Sequence, residues 1–245
     1  MKLLSLIIIL LVTLIGGSYP FIKRLTSDQG RDFPIGEALA AGVFLGAGLL
    51  HMLGDSAKLF DALGYHYPWP FLLAGIIFLV LLLLEHLGRE IYEHQGATHV
   101  GFAVLTLIML SVHSFLEGAA LGLSNSFAML MIIFLAILAH KWAASFALAV
   151  QINKSTIPSK LGIVLFLLFA IMTPLGILFG SNIIQAGNNP LLEPIFTALA
   201  AGTFLYLGTL HGLSRAIMVK TCCDLKNFNF VVIGFTIMAI VAIWT

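Results

Sequence analysis

The sequence predicts an all-α, polytopic membrane protein: one domain over residues 1–245, built as a bundle of eight transmembrane helices. Three observations predict it. Of 245 residues, 60% are hydrophobic and only 9% charged, where a soluble domain has about 45–50% apolar and about 25% charged residues. The mean hydropathy is +1.06, so the solvent for most side chains must be lipid. The apolar residues also fall into runs of the roughly 20 residues that a span requires. A formal net charge of +1 gives no ground for a nucleic-acid partner.

The expected spans are Leu3–Ile22, Pro34–Leu53, Pro70–Leu87, His99–Leu123, Phe127–Gln151, Ser159–Ile183, Pro194–Ser214 and Phe228–Trp244. The first has the make-up of a signal peptide, with Lys2, an apolar run and then Gly16, Gly17 and Ser18. It is long enough to cross, however, and Lys23-Arg24 follow at once, so it reads as a retained helix. Polar, Gly- and Pro-rich breaks separate the others, among them Tyr-Pro-Trp-Pro at 67–70 and Ala-Gly-Asn-Asn-Pro at 186–190. Thr173-Pro174 interrupts the sixth span, as a kink or as a freed carbonyl on a pathway.

Basic residues orient the chain. Loops after spans one, three, five and seven hold Lys23, Arg24, Arg31, Arg89, Lys154, Lys160, Arg215, Lys220 and Lys226; those after two, four and six hold only Lys58. The first set is therefore expected in the cytoplasm, with both termini on the other side. A short cytoplasmic loop is expected at about 88–98. The stretch EHLGREIYEHQGATH at 85–99, which contains this loop, offers Glu85, His86, Glu90, Glu93, His94 and His99, either as a metal hand-off or as a solvated polar loop. Cys222 and Cys223, adjacent in a cytoplasmic loop, form no disulfide framework; they are metal scavengers or plain loop residues.

Span two reads PIGEALAAGVFLGAGLLHML from Pro34, and span seven reads PIFTALAAGTFLYLGTLHGL from Pro194; thirteen of the twenty positions are identical without a gap. Composition alone does not preserve a Pro-Ile start, an Ala-Leu-Ala-Ala-Gly core and a terminal His in order. The two spans run in opposite directions, so the expected architecture is an inverted repeat relating spans 1–3 to spans 6–8, as in many secondary transporters. The repeat places its related histidines, His51 and His211, at opposite ends of the membrane.

Ionisable groups inside a span are costly and mark function by default. His113 and Glu117 are i and i+4 on one helical face, and His140-Lys141 fall at similar depth in the next span, across a very short turn. Two imidazoles and a carboxylate suit Zn²⁺. Fe²⁺, Mn²⁺, Co²⁺ and Cd²⁺ accept the same ligand types, whereas spans without cysteine disfavour copper(I). His51 and Asp55, again i and i+4, read as a metal entry site or as ordinary polarity at a helix end. Gly42, Gly46, Gly48, Gly118, Gly122, Gly202, Gly208 and Gly212 permit close helix packing, or a sliding interface. The metal is expected as cargo, with no cofactor, and the other partner is the lipid bilayer. An intramembrane zinc hydrolase is the alternative, but the helix-borne HExxH motif is absent.

The helix-four stretch HSFLEGAALGL resembles the signature of the Zrt/Irt-like (ZIP) family of metal transporters, as do AHKWAASFALAV, MTPLG, AGVFLGAGLLH and AGTFLYLGTLH. The resemblance covers most of the chain. It implies a central site of His113, Ser114 and Glu117 with His140, an entrance near His51 and Asp55, an exit past His211, and uptake toward the cytoplasm. The membrane would be a plasma membrane or bacterial inner membrane, and a homodimer is compatible. Some members of the family build a two-metal site with three further acids; the matching positions here are Lys141, Ala144 and Thr173. The HK pair resembles the animal-type branch, in which a single metal site is expected and the Lys141 ammonium stands in for the second dication.

Overall fold

In the computed structural model, residues 1–26, 33–93, 98–124, 126–186, 189–210 and 225–243 are described. They form helices α1 (Lys2–Thr26), α2 (Pro34–Gly46), α3 (Leu53–Ala62), α4 (Trp69–Glu93), α5 (Thr98–Leu123), α6 (Phe127–Lys154), α7 (Ser159–Ala170), α8 (Met172–Ala186), α9 (Leu192–Tyr206) and α10 (Leu225–Val241), with no strand among the described residues. Among the described residues, six helical stretches are long and apolar enough to cross a membrane: Lys2–Lys23, Pro34–Ala62, Trp69–Gly88, Val100–Leu123, Phe127–Lys154 and Ser159–Ile183. The chain is a multi-pass membrane protein. Expected span seven is α9, whose helical path continues to 210, the end of that described stretch; span eight is the shorter apolar α10.

Three boundaries differ from expectation. Span two does not stop at Leu53. A π-helical turn at Ala47–Met52 leads directly into α3, and the whole rod of 29 residues runs from Pro34 to Ala62. At 1.5 Å per residue it is about 43 Å long, well beyond a hydrocarbon core of about 30 Å. Hydropathy falls after Leu53, but Asp55, Ser56, Ala57, Lys58 and Leu59 keep helical spacing, so polarity ends the lipid-facing stretch without ending the helix. Likewise the expected loop at 88–98 is mostly helix, because α4 continues to Glu93 and α5 starts at Thr98. Leu87, Arg89, Glu90 and Glu93 are good helix formers. The break in the sixth span falls at Ile171, three residues before Pro174. The Pro174 ring clashes with the carbonyl four residues back, at Ala170, and supplies no N–H to it.

Helix starts follow local chemistry. Pro34 opens α2 at a position where a missing N–H costs nothing. The Ser126 hydroxyl caps α6 by accepting from the Met129 N–H at 3.0 Å.

The main helix pairs are α1 with α6, α5 with α8, α2 with α10 and α4 with α9. Small residues make these pairs close. Between α5 and α8, a Cβ added at Gly118, Gly122, Gly176 or Gly180 would fall 2.2–2.4 Å from a backbone oxygen of the opposite helix. Without a hydrophobic drive between helices in lipid, such backbone approach is how they associate. The contact between α2 and α9 is reciprocal. A Cβ at Gly48 would meet Leu205 and the Ala201 carbonyl, and one at Gly208 would meet Leu45 and the Ala41 carbonyl. The second π-helical stretch, at 207–210, lies at the repeat position of Ala47–Leu50.

Candidate metal centre

Helix α5 carries His113 and Glu117 one turn apart, and α6 presents His140 and Lys141 to the same point. All four side chains are buried at 3% exposure or less. Glu117 Oε2 lies 2.7 Å from His113 Nε2 and 3.1 Å from His140 Nε2. One ligand atom from each of His113, Glu117 and His140 falls within 4.8 Å of the other two. A Zn²⁺ held at about 2.0–2.2 Å by such atoms in a tetrahedron would place them about 3.3–3.5 Å apart. The arrangement therefore needs only small side-chain movements to take an ion. His113 Nε2, though close to the carboxylate, is outside hydrogen-bonding geometry with it.

Helix α9 sets the His113 ring. Its Nδ1 lies 2.7 Å from Thr203 Oγ1 and 3.2 Å from the Ala200 carbonyl, and the Thr203 hydroxyl itself donates to that carbonyl at 2.6 Å. A carbonyl only accepts, and the hydroxyl has spent its proton on it, so the ring proton belongs on Nδ1. The Nε2 lone pair is thereby left for a metal. Phe204 stacks on the same ring at 3.6 Å between centroids, meets His140 edge-on at 4.9 Å, and stacks on Phe44 of α2 at 4.9 Å.

Lys141 is tied elsewhere. Its ammonium donates to Ser114 Oγ at 2.8 Å and Thr173 Oγ1 at 2.6 Å, and lies 3.6 Å from Glu117 Oε1. Ser114, named by the resemblance as part of the site, faces the lysine rather than the His–Glu–His cluster. Lys141 occupies one side of Glu117, while the other carboxylate oxygen faces the imidazoles. Breaking such a buried pair by removing one member costs about 3–5 kcal/mol.

A narrow cavity of about 30 Å³ reaches Glu117 from the side of α3, past His51, Asp55, Thr197 and Ala200. His51 Nδ1 lies 2.7 Å from Asp55 Oδ2, and Lys58 lies 3.3 Å from the other Asp55 oxygen. His51 is 4% exposed, within the long α2–α3 rod rather than at its end. The Ser56 hydroxyl, buried on this rod, donates to the Pro194 carbonyl at 2.7 Å and fixes α3 to the start of α9. The structure thus brings His113, Glu117, His140 and Lys141 together and sets His51 and Asp55 on one cavity with Glu117. His211, His94 and the Cys222–Cys223 pair lie outside the described residues, as does the His99 side chain; His86 is exposed on α4.

Thr203 and Phe204 are site residues that motif reading misses. The repeat carries a signal for one of them: Thr203 occupies the position of Val43 in the first copy, a polar exchange directly after the shared Ala-Leu-Ala-Ala-Gly core.

Comparison with known proteins gives a consistent picture. The family model described as ZIP zinc transporter matches residues 1–102 and 94–242. A mouse protein named zinc transporter ZIP2 is 28% identical over 258 residues, covering 84% of this chain and 83% of its own. A pufferfish (Takifugu rubripes) protein named zinc transporter ZIP1 is 27% identical, covering 97% and 96%. An Arabidopsis thaliana protein named zinc transporter 11 is 28% identical, covering 99% and 85%.

Proposed function

The chain belongs to the ZIP zinc transporter family, and on that premise we propose that it carries divalent transition-metal cations, zinc first among them, across a membrane through His113, Glu117 and His140. The observation that carries this reading is the convergence of those three ligand atoms, fully buried, at the end of a cavity. Fe²⁺, Mn²⁺, Co²⁺ and Cd²⁺ are chemically admissible cargoes of the same ligands. Members of the family are transporters, so the protein is not an enzyme and the hydrolase reading is not favoured.

The ion enters past Asp55 and His51, sheds water, and binds the two Nε2 atoms and the Glu117 carboxylate. It then leaves past His211 toward the histidines of the cytoplasmic side, His86, His94 and His99. Three mixed ligands without thiolate bind strongly enough to desolvate the ion and weakly enough to release it. Lys141 supplies the charge of a second dication, which makes this a one-metal site of the HK branch.

Alternating access rests on eight spans with both termini extracytoplasmic and an inverted repeat. Several features support the repeat. Exchanging spans 1, 2, 3 and 4 with 6, 7, 8 and 5 turns the α1–α6 pair into α8–α5, and α2–α10 into α9–α4; both resulting pairs are present. The π-helical turns fall at matching positions, and the repeat-related Phe44 and Phe204 stack on each other. Uptake toward the cytoplasm, across a plasma membrane or bacterial inner membrane and as a homodimer, completes the proposal.

The deciding experiment is zinc uptake into proteoliposomes, wild type beside a His113→Ala, His140→Ala double variant. Saturable uptake, competed by other divalent metals and lost in the variant, is expected. Tight zinc binding without flux in wild type would overturn transport.

A further inference from the structure

A second, larger cavity adjoins the one that reaches Glu117. It has about 260 Å³ of room and is lined by Ser124, Asn189 and Glu193 among mainly apolar neighbours. Leu59 and Met129 line both cavities, so they form the partition between the two. Two polar atoms at the larger cavity are buried without a hydrogen-bond partner: Glu193 Oε1 and Ser124 Oγ, the latter on a side chain only 2% exposed. Such oxygens are costly to bury bare. A carboxylate and a hydroxyl oxygen on one cavity are what a hard cation, or the donor hydrogens of its water shell, would satisfy.

Size separates the roles of the two cavities. At roughly 10–15 Å³ of such room per water, six first-shell waters need roughly 60–90 Å³. The outer cavity, about 260 Å³, takes a fully hydrated ion. The inner one, about 30 Å³, takes about two waters. Room for water therefore narrows between the two, at Leu59 and Met129.

We propose that Glu193 and Ser124 form a vestibule site that holds a hydrated divalent cation before it is stripped of water and passed to Asp55 and His51. The direction of travel rests on the transport reading; the site itself does not. The charged group that faces Glu193 is Lys2 of α1, whose ammonium donates to the Gly122 carbonyl at 2.5 Å. Lys2 repels an incoming dication, and Lys2→Gln should tighten the vestibule.

The test is a count of Mn²⁺ bound by the purified full-length protein, read from the loss of the free-ion EPR signal, with zinc uptake measured in parallel. Glu193→Gln is expected to bind one Mn²⁺ fewer per chain than wild type, Glu193→Asp to keep that ion, and His113→Ala to keep it too. In proteoliposomes at low ionic strength, Glu193→Gln should raise the KM for zinc on the order of 10-fold, an effect that fades with added salt. An unchanged Mn²⁺ count in Glu193→Gln, or a count that Glu193→Asp loses equally, overturns the vestibule. Absence of uptake in wild type would instead overturn transport and leave the Mn²⁺ count to decide the site.

Discussion

Among the described residues, His51/Asp55 and His113/Glu117 are His–carboxylate pairs of identical spacing, and in both the imidazole lies 2.7 Å from the carboxylate. Their surroundings differ. The inner pair is enclosed by side chains of three other helices: His140 and Lys141 from α6, Thr203 and Phe204 from α9, and Thr173 from α8 by way of Lys141. The outer pair stands on one rod, with Asp55 16% exposed and sharing its charge with an exposed lysine. Spacing on a helix thus supplies a pair; neighbouring helices decide whether that pair becomes a centre or a way station.

The largest effect that separates the two is expected at Glu117. Glu117→Gln removes the charge that faces two imidazoles and an ammonium, and zinc uptake should fall by at least about 100-fold, more than the 10–100-fold typical of supporting partners. It also leaves Lys141 buried and unpaired, which should cost about 3–5 kcal/mol of stability. Adding Lys141→Met removes the orphan charge. The double variant should regain thermal stability without regaining uptake. Stability and uptake recovering together would mean that Glu117 serves the fold alone.

Next in size is Lys141→Asp. It replaces the lysine with a metal ligand beside Ser114 and Thr173, and metal content should rise by one ion per chain, or selectivity should shift. Unchanged binding and transport would remove Lys141 from the account of stoichiometry.

A third effect tests the shell around the inner pair. Thr203→Val is nearly isosteric and deletes the acceptor at His113 Nδ1, so zinc affinity should drop about 10-fold while the fold persists. The outer histidine has no counterpart to lose. Wild-type affinity in Thr203→Val would show that the Ala200 carbonyl alone holds the tautomer.

How much of this was legible beforehand follows from what each feature depends on. His113, Glu117 and His140 stand out in sequence because an ionisable group in an apolar run is expensive and helical spacing fixes which face it occupies. Thr203 does not stand out. A threonine satisfies itself on its own helix, and only the packing of α9 on α5 turns it toward the His113 ring. Helix ends fared worst where the cue was hydropathy: α2–α3 and α4 run on past their apolar stretches, because leaving the lipid does not break a helix. The break in the sixth span was legible in kind but displaced to Ile171, since a proline disturbs the turn before it. Nothing in the run Ala47–Met52 announces a π turn. Its match at 207–210 links it to the repeat, and π turns gather at functional sites.

The smallest effect belongs to the outer pair and completes the contrast. On the proposed path Asp55 attracts the ion and His51 passes it inward, but Asp55 is partly exposed, so water can substitute for it in part. Asp55→Asn should raise the KM for zinc by about 3–10-fold at low ionic strength, with the change shrinking as salt screens the charge. If the outer pair only gathers ions, Asp55→Asn changes the KM and leaves the limiting rate at saturating zinc to His113, Glu117 and His140. A limiting rate that falls in Asp55→Asn at saturating zinc would make the outer pair, not the enclosed one, the seat of the slow step, and the distinction between centre and way station would have to be reversed.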